Sequence, residues 1–302
     1  MTTPVWLDTD IGTDVDDAVA LALALRSPEI ELVGVSSVYG DVALRSRMVA
    51  KLLRLAGRDD VPVYSGASEP LMRERPVYWA GWEGEGLLEP GEKAPGARPG
   101  HAANALIEAT KARPGEITLL TVGPMTNAAL AFALDPSLAQ RLAGFVLMGG
   151  VARTGENGLE LPLAEHNLVC DPEAASLAFR CGRDMVMVGL DVTTKVWFHR
   201  DGLERVRRSG GPLGRAVADQ LERYLGQRGA DRTMMHDPLA LAYIMHPDLL
   251  RTVSAKVQVE TRSEVAAGAT WVRQSVDGRT QVAVDVDSAA FEELVLERLS
   301  RG

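Results

Sequence analysis

Short apolar runs alternate along the first two thirds of the chain with stretches of strong helix formers, and this alternation predicts most of the elements. Residues 4–7 form an apolar run that stops at an acidic cluster, and from Ala18 the chain is built of helix formers without Gly or Pro. That order predicts strand, loop and buried helix. The pattern recurs with strands at 31–39, 61–64, 116–122, 145–148 and 185–190, and helices at 42–56, 102–112, 126–134 and 172–180. Such alternation implies an α/β fold: a Rossmann-like, mainly parallel central sheet with helices on both faces. Ligands of such sheets bind beyond the carboxyl ends of the strands.

After Thr194 the pattern changes to helical stretches at 201–208, 212–225 and 238–245, then to strands at 253–261, 270–274 and 281–286. Asp277-Gly278 is a hairpin signal between the last two strands. These segments predict a small helical and antiparallel C-terminal annex to one domain spanning residues 1–302. The Gly/Pro-rich stretch at 83–100 is long enough to predict a lid or binding loop near the strand ends.

Composition narrows the function classes. With 46% apolar and 24% charged residues the chain is an ordinary globular one. Its net charge of −9 disfavours a nucleic-acid polymer or an anionic membrane surface as partner. No apolar run approaches the roughly 20 residues needed to cross a bilayer, and no secretory signal is apparent. Cys170 and Cys181 lack the spacing of a zinc site and fit reduced thiols in a cytoplasm.

The strongest chemical signal is acidic. Asp8, Asp10, Asp14, Asp16 and Asp17 crowd the junction of the first strand and its helix. Helix capping explains one or two of them, whereas five carboxylates this close call for a cation. All-oxygen ligands suit Ca²⁺ or Mg²⁺. The cluster is not an EF-hand loop, because counting from Asp8 puts Thr13 and Val19 where Gly and Glu are required. A Mg²⁺-dependent phosphotransferase loop of the haloacid-dehalogenase type, with Asp8 as nucleophile, matches at Asp8 and Asp10 but not at Gly12. Three further polar groups fall at strand or helix ends: Gly123-Pro124-Met125-Thr126-Asn127, Glu165-His166-Asn167 ahead of Asp171-Pro172, and His236-Asp237. Each alone is explained by turn and cap chemistry.

Together, in this order, they resemble the signatures of the inosine-uridine preferring nucleoside hydrolase family, across residues 8–245. The resemblance implies a Ca²⁺ ion held by Asp10, Asp17, the backbone carbonyl of Thr126 and Asp237. It implies that Asp16, Glu165 and Asn167 grip the ribose hydroxyls, that Asp10 is also the general base, and that His236 protonates the leaving base. The expected activity is hydrolysis of the N-glycosidic bond of ribonucleosides by a homodimer or homotetramer. Oxocarbenium-like chemistry at the sugar suits a carboxylate-rich pocket.

The chain departs from the family pattern at several points. Two extra residues give Asp14-Val15-Asp16-Asp17, so Asp14 could compete for the metal. Asp41 follows Gly40 where many members have Asn at a ribose contact, and Trp82 takes the place of a loop His. Leu159 or a neighbour replaces an Asn near the substrate. Trp79, Trp82 and Trp271 are candidates for stacking on a nucleobase. Tyr224 and Arg228, four apart on one helix face, are candidates for lining the base pocket. A non-catalytic nucleoside- or ribose-binding protein is the remaining alternative to the enzyme and to the phosphotransferase.

Overall fold

The computed structural model describes residues 2–89, 92, 96–153 and 160–302. Leu159 and part of the 83–100 loop lie outside them. The central sheet has nine strands in the order β10-β9-β11-β6-β5-β4-β1-β2-β3. In chain order these are β1 (Thr3–Thr9), β2 (Ile30–Ser37), β3 (Val63–Ser65), β4 (Thr118–Thr121), β5 (Gly144–Met148), β6 (Met185–Val188), β9 (Leu250–Val259), β10 (Thr270–Gln274) and β11 (Thr280–Val286). A separate antiparallel pair, β7 (Trp197–His199) and β8 (Arg232–Met234), lies outside it.

Side chains two apart on a strand share a face, and both faces of this sheet are buried. Val5, Leu7, Leu120, Val146 and Val186 face α1 (Asp16–Arg26), α2 (Val42–Leu55), α10 (Gly211–Arg228), α11 (His236–Met245) and α12 (Ser288–Leu299). Trp6, Leu119, Phe145 and Met185 face α3 (Ala102–Ala112), α4 (Thr126–Leu134), α5 (Leu138–Arg141) and α7 (Pro172–Cys181). The remaining short helices are α6 (His166–Cys170), α8 (Leu190–Thr193) and α9 (Leu203–Ser209).

The C-terminal strands differ from the sequence expectation in two ways. They continue the main sheet, because β11 pairs parallel with β6 while it pairs antiparallel with β9. Residues 277–278 do not close a hairpin either, since β10 and β11 lie on opposite sides of β9. The connection must cross β9, and a Cβ on Gly278 would meet the Ala255 backbone at 2.4 Å, so the crossing depends on glycine.

The topology also fixes where a site can form. From β1 the chain runs outward to β2 and β3, then returns to place β4 on the other side of β1. The carboxyl ends of β1 and β4 flank this switch point, where open α/β sheets bind ligands.

Candidate active site

The loop after β1 carries the acidic cluster into the switch point, and α1 starts within it. Asp16 and Asp17 occupy the first turn of α1, and Asp237 the first turn of α11. These two helices pack on each other, so two helix N-termini, each with a partial positive charge, meet at the carboxylates. The Asp237 amide donates to Asp16 Oδ2 at 3.1 Å, and the Thr9 hydroxyl donates to Asp17 Oδ1. Gly123, after β4, is needed beside them, since a Cβ there would lie 2.7 Å from Asp10 Oδ1.

One oxygen from each of Asp16, Asp17 and Asp237 falls within 4.8 Å of the others, and all three residues are buried. Two ligands on opposite sides of a Ca²⁺ ion span up to about 5 Å, so this triad fits a hard divalent cation. Burial raises the pKa of each of the three well above the usual carboxylate range. Mutual repulsion adds to this, from Asp14 on Asp16, from Asp10 on Asp17 and from Asp16 on Asp237. Asp10 is raised by burial and held back by Arg45 and His166. Among the described residues no Lys or Arg forms an ion pair with these four acids, so their charge is left for a cation to neutralise.

A cavity of about 560 Å³ opens above the cluster and brings together Asp10, Asp16, Asp17, Glu165, Asn167, His236 and Asp237. Seven residues named from the sequence thus converge from three separate segments. Glu165 caps α6, its Oε1 accepting from the Asn167 amide at 2.7 Å and its Oε2 from the Gly150 amide at 3.2 Å. Burial raises its pKa. The Asn167 amide group donates to the carbonyls of Val122 at 2.9 Å and Met148 at 3.2 Å, which ties it to the ends of β4 and β5. His236 is half-buried, its Nδ1 lies 2.7 Å from the Thr193 hydroxyl, and burial lowers its pKa while Asp14 works against that.

Three residues named from the sequence stand elsewhere. Thr126 begins α4 and does not line the cavity; its hydroxyl donates to Asp171 at 2.7 Å, while Val122 is the residue of that turn that reaches the cavity. Asp41 is exposed and caps α2, accepting from the Leu44 amide at 2.9 Å. Trp82 lies outside the cavity, on the outer side of the acidic loop, where its indole donates to the Thr13 carbonyl at 3.1 Å. Of the other tryptophans, Trp79 stacks on Arg45 and Trp271 is 70% exposed on the edge strand, so neither faces the cavity. Asp8, the nucleophile of the phosphotransferase alternative, is 1% exposed and absent from the cavity wall. Its Oδ1 accepts from Ser36 and from Asn127, which leaves it no access to a substrate.

Arg45 is the positioning residue that the motifs missed. It is fully buried, and its guanidinium donates to the carbonyls of Tyr39 at 2.6 Å and Ile11 at 2.7 Å and to the Thr13 hydroxyl at 3.1 Å. A signal for it exists: Arg45 falls on the apolar face of α2 with Met48, Val49 and Leu52. His166 and Tyr78 also line the cavity, in an edge-to-face contact at 5.7 Å. A wider depression of about 1120 Å³ lies over β9, β10 and β11, but among the described residues it gathers Lys195, Arg251 and Asp285 in ion pairs and no carboxylate cluster.

Comparison with known proteins agrees with this geometry. The family model described as inosine-uridine preferring nucleoside hydrolase matches residues 5–293. The chain is 36% identical over 318 residues to the pyrimidine-specific ribonucleoside hydrolase RihA of Citrobacter koseri, with 99% of each covered. Among solved structures it is similar to the plant nucleoside hydrolase PpNRh1, at 29% identity and a TM-score of 0.89 over 100% of both chains. It is also similar to the purine-preferring ribonucleoside hydrolase of Gardnerella vaginalis, at 29% identity and a TM-score of 0.86 over 99% of this chain and 98% of that one. With a match along nearly its whole length and the ordered acidic motifs gathered at one cavity, the chain belongs to the inosine-uridine preferring nucleoside hydrolase family and is a hydrolytic enzyme.

Proposed function

We propose that the chain hydrolyses the N-glycosidic bond of ribonucleosides to ribose and free base, with Ca²⁺ as cofactor and pyrimidine nucleosides preferred. The observation that carries this reading is the convergence of Asp10, Asp16, Asp17, Glu165, Asn167, His236 and Asp237 on one cavity. The pyrimidine preference is supported by the curated relatives, which are named for it.

Asp17 and Asp237 would hold the cation as the resemblance implies, with Asp16, expected on the ribose, as the third carboxylate in place of Asp10, Asp10 completing the acidic wall, and the Val122 carbonyl taking the place expected of Thr126. Bound there, a divalent ion supplies positive charge that orients ribose hydroxyls and makes a nearby water more acidic. Asp10 accepts the proton of the attacking water. Glu165 and Asn167, fixed by backbone groups of α6, β4 and β5, hold the sugar in one orientation. The surrounding carboxylates stabilise positive charge as it develops on the ring. His236 donates a proton to the departing base; its Nδ1 is engaged by Thr193, which leaves Nε2 as the donor. The reading carries with it a cytoplasmic homodimer or homotetramer.

The test is a panel of common nucleosides assayed for reducing sugar, with and without a chelator. Ribose release from uridine and cytidine, lost on chelation and restored by Ca²⁺, is expected. Nucleoside binding without reducing sugar, or phosphate release from nucleotides alone, would overturn the reading.

A further inference from the structure

Beside His236 the catalytic cavity adjoins a second one of about 220 Å³, and the two share Asp14, Arg228 and His236. The smaller cavity is walled by two arginine-aromatic stacks. The Arg228 guanidinium lies 5.1 Å from the Tyr224 ring centroid, and that of Arg232 lies 4.0 Å from the centroid of Trp197. Neither guanidinium has an ion pair or hydrogen-bond partner among the described residues. The acid in this wall is already engaged: Asp14 Oδ1 accepts from the Val15 amide at 2.8 Å, and the carboxylate sits against the Tyr224 hydroxyl.

An arginine stacked on a ring spends its flat face and keeps its in-plane N–H edge for an acceptor. Two such edges on one small cavity suit a planar anion, and the fork of a guanidinium matches the two oxygens of a carboxylate. At about 30 Å³ per water, the space holds roughly seven waters, which is room for a substituent of a few heavy atoms and not for a second nucleoside. Because His236 borders both cavities, a base held against it for protonation lies beside the smaller one.

We propose that this vestibule receives a carboxylate carried on the leaving base, so that pyrimidine nucleosides bearing a carboxyl group at C5, on the edge remote from the glycosidic bond, are favoured substrates. The proposal rests on the reading that the base leaves beside His236.

The test compares kcat/KM for uridine, 5-carboxyuridine and its neutral 5-carboxamide in the wild type and in Arg232→Gln. Arg232 lines only the smaller cavity and is exposed, so the substitution leaves the catalytic cavity intact. A charge-assisted hydrogen bond predicts about tenfold preference for the carboxylate over the carboxamide in the wild type. That preference should vanish in Arg232→Gln with the uridine rate unchanged. Equal rates for carboxylate and carboxamide in the wild type, or a preference that survives in Arg232→Gln, would overturn the vestibule assignment. Should uridine release no ribose at all, the hydrolase reading fails separately, and calorimetric binding of the two 5-substituted compounds to both proteins still decides the vestibule.

Discussion

Asp171 is the buried anchor behind the sugar-holding loop, and its removal has a calculable cost. It is 0% exposed and its carboxylate accepts from three groups: Oδ2 from the Leu71 amide at 2.8 Å and the Thr126 hydroxyl at 2.7 Å, and Oδ1 from the Ala174 amide at 3.0 Å. It thereby joins the loop before α3, the start of α4 and the start of α7. Asp171→Ala strands three donors. Loss of the cap at Ala174 costs about 1 kcal/mol, and each buried donor left without a partner about 1–3 kcal/mol. Burial raises the Asp171 pKa, so removing the carboxylate recovers part of this, and a net loss of about 3 kcal/mol is expected. With an unfolding entropy of about 2.1 cal/mol/K per residue for 302 residues, that is a Tm lower by about 5 °C. Asp171→Asn can keep the two Oδ2 contacts and give up only the cap, at about 1 kcal/mol. Asp171 does not line the cavity, so kcat at 25 °C should fall less than about tenfold in either variant. Urea and thermal unfolding give the stabilities. A loss below about 1 kcal/mol in the Ala variant, or equal losses in both, would refute the reasoning.

Other outcomes follow from the same geometry. Asp10→Asn should fold normally by circular dichroism and lose at least about 10³-fold in kcat, in line with removal of a general base; turnover near the wild-type rate would remove that role. His236→Ala should slow uridine by about 10²–10⁴-fold and a nitrophenyl riboside far less, because an activated leaving group needs no proton; equal losses would count against the acid. Asp8→Asn, at a residue that does not line the cavity, should retain hydrolysis, whereas loss of a nucleophile would abolish turnover. In chelator-treated protein, Asp16, Asp17 and Asp237 have pKa values raised above those of the unfolded chain, and Asp8 is pushed up to about 7 by burial. The native state then binds more protons than the unfolded one between about pH 4 and 7, so stability falls as pH rises through that window. Tm should be higher at pH 5 than at pH 7.5 without a divalent ion, and Ca²⁺ should shrink the difference; a Tm rising with pH in the chelated protein would contradict the buried cluster.

The parallel strands are legible because both faces of the sheet are buried, so β1, β2, β4, β5 and β6 read as mainly apolar runs that stop at turns bearing Gly or Asp. The three-residue strands β7 and β8 carry too little pattern to show a period. The apolar pattern does not mark a helix at 288–299, although Asp287 caps α12 by accepting from the Ala290 amide at 3.1 Å. In the site, the acidic residues are legible as a cluster because five carboxylates in ten residues exceed what helix capping explains. The motif gives the turn after β4 but not which of its carbonyls faces the cavity; that depends on β4 ending at Thr121 and on Thr126 starting α4, where its carbonyl points along the helix. The family pattern assigns Asp41 and Trp82 by position alone, whereas capping and a backbone acceptor hold them outside the cavity. Arg45 contacts the site loop through backbone carbonyls, which no side-chain motif encodes.

The central claim is that carboxylates from the β1 loop and from α11 close on one divalent ion that the hydrolysis of nucleosides requires. Titration of chelator-stripped protein with Ca²⁺ by calorimetry, with ribose release from uridine followed on the same samples, tests it most directly. The account predicts one ion per chain, activity rising with occupancy, and loss of both in Asp237→Ala. Full turnover in the stripped protein, or an Asp237→Ala variant that binds Ca²⁺ and hydrolyses uridine as the wild type does, would contradict it.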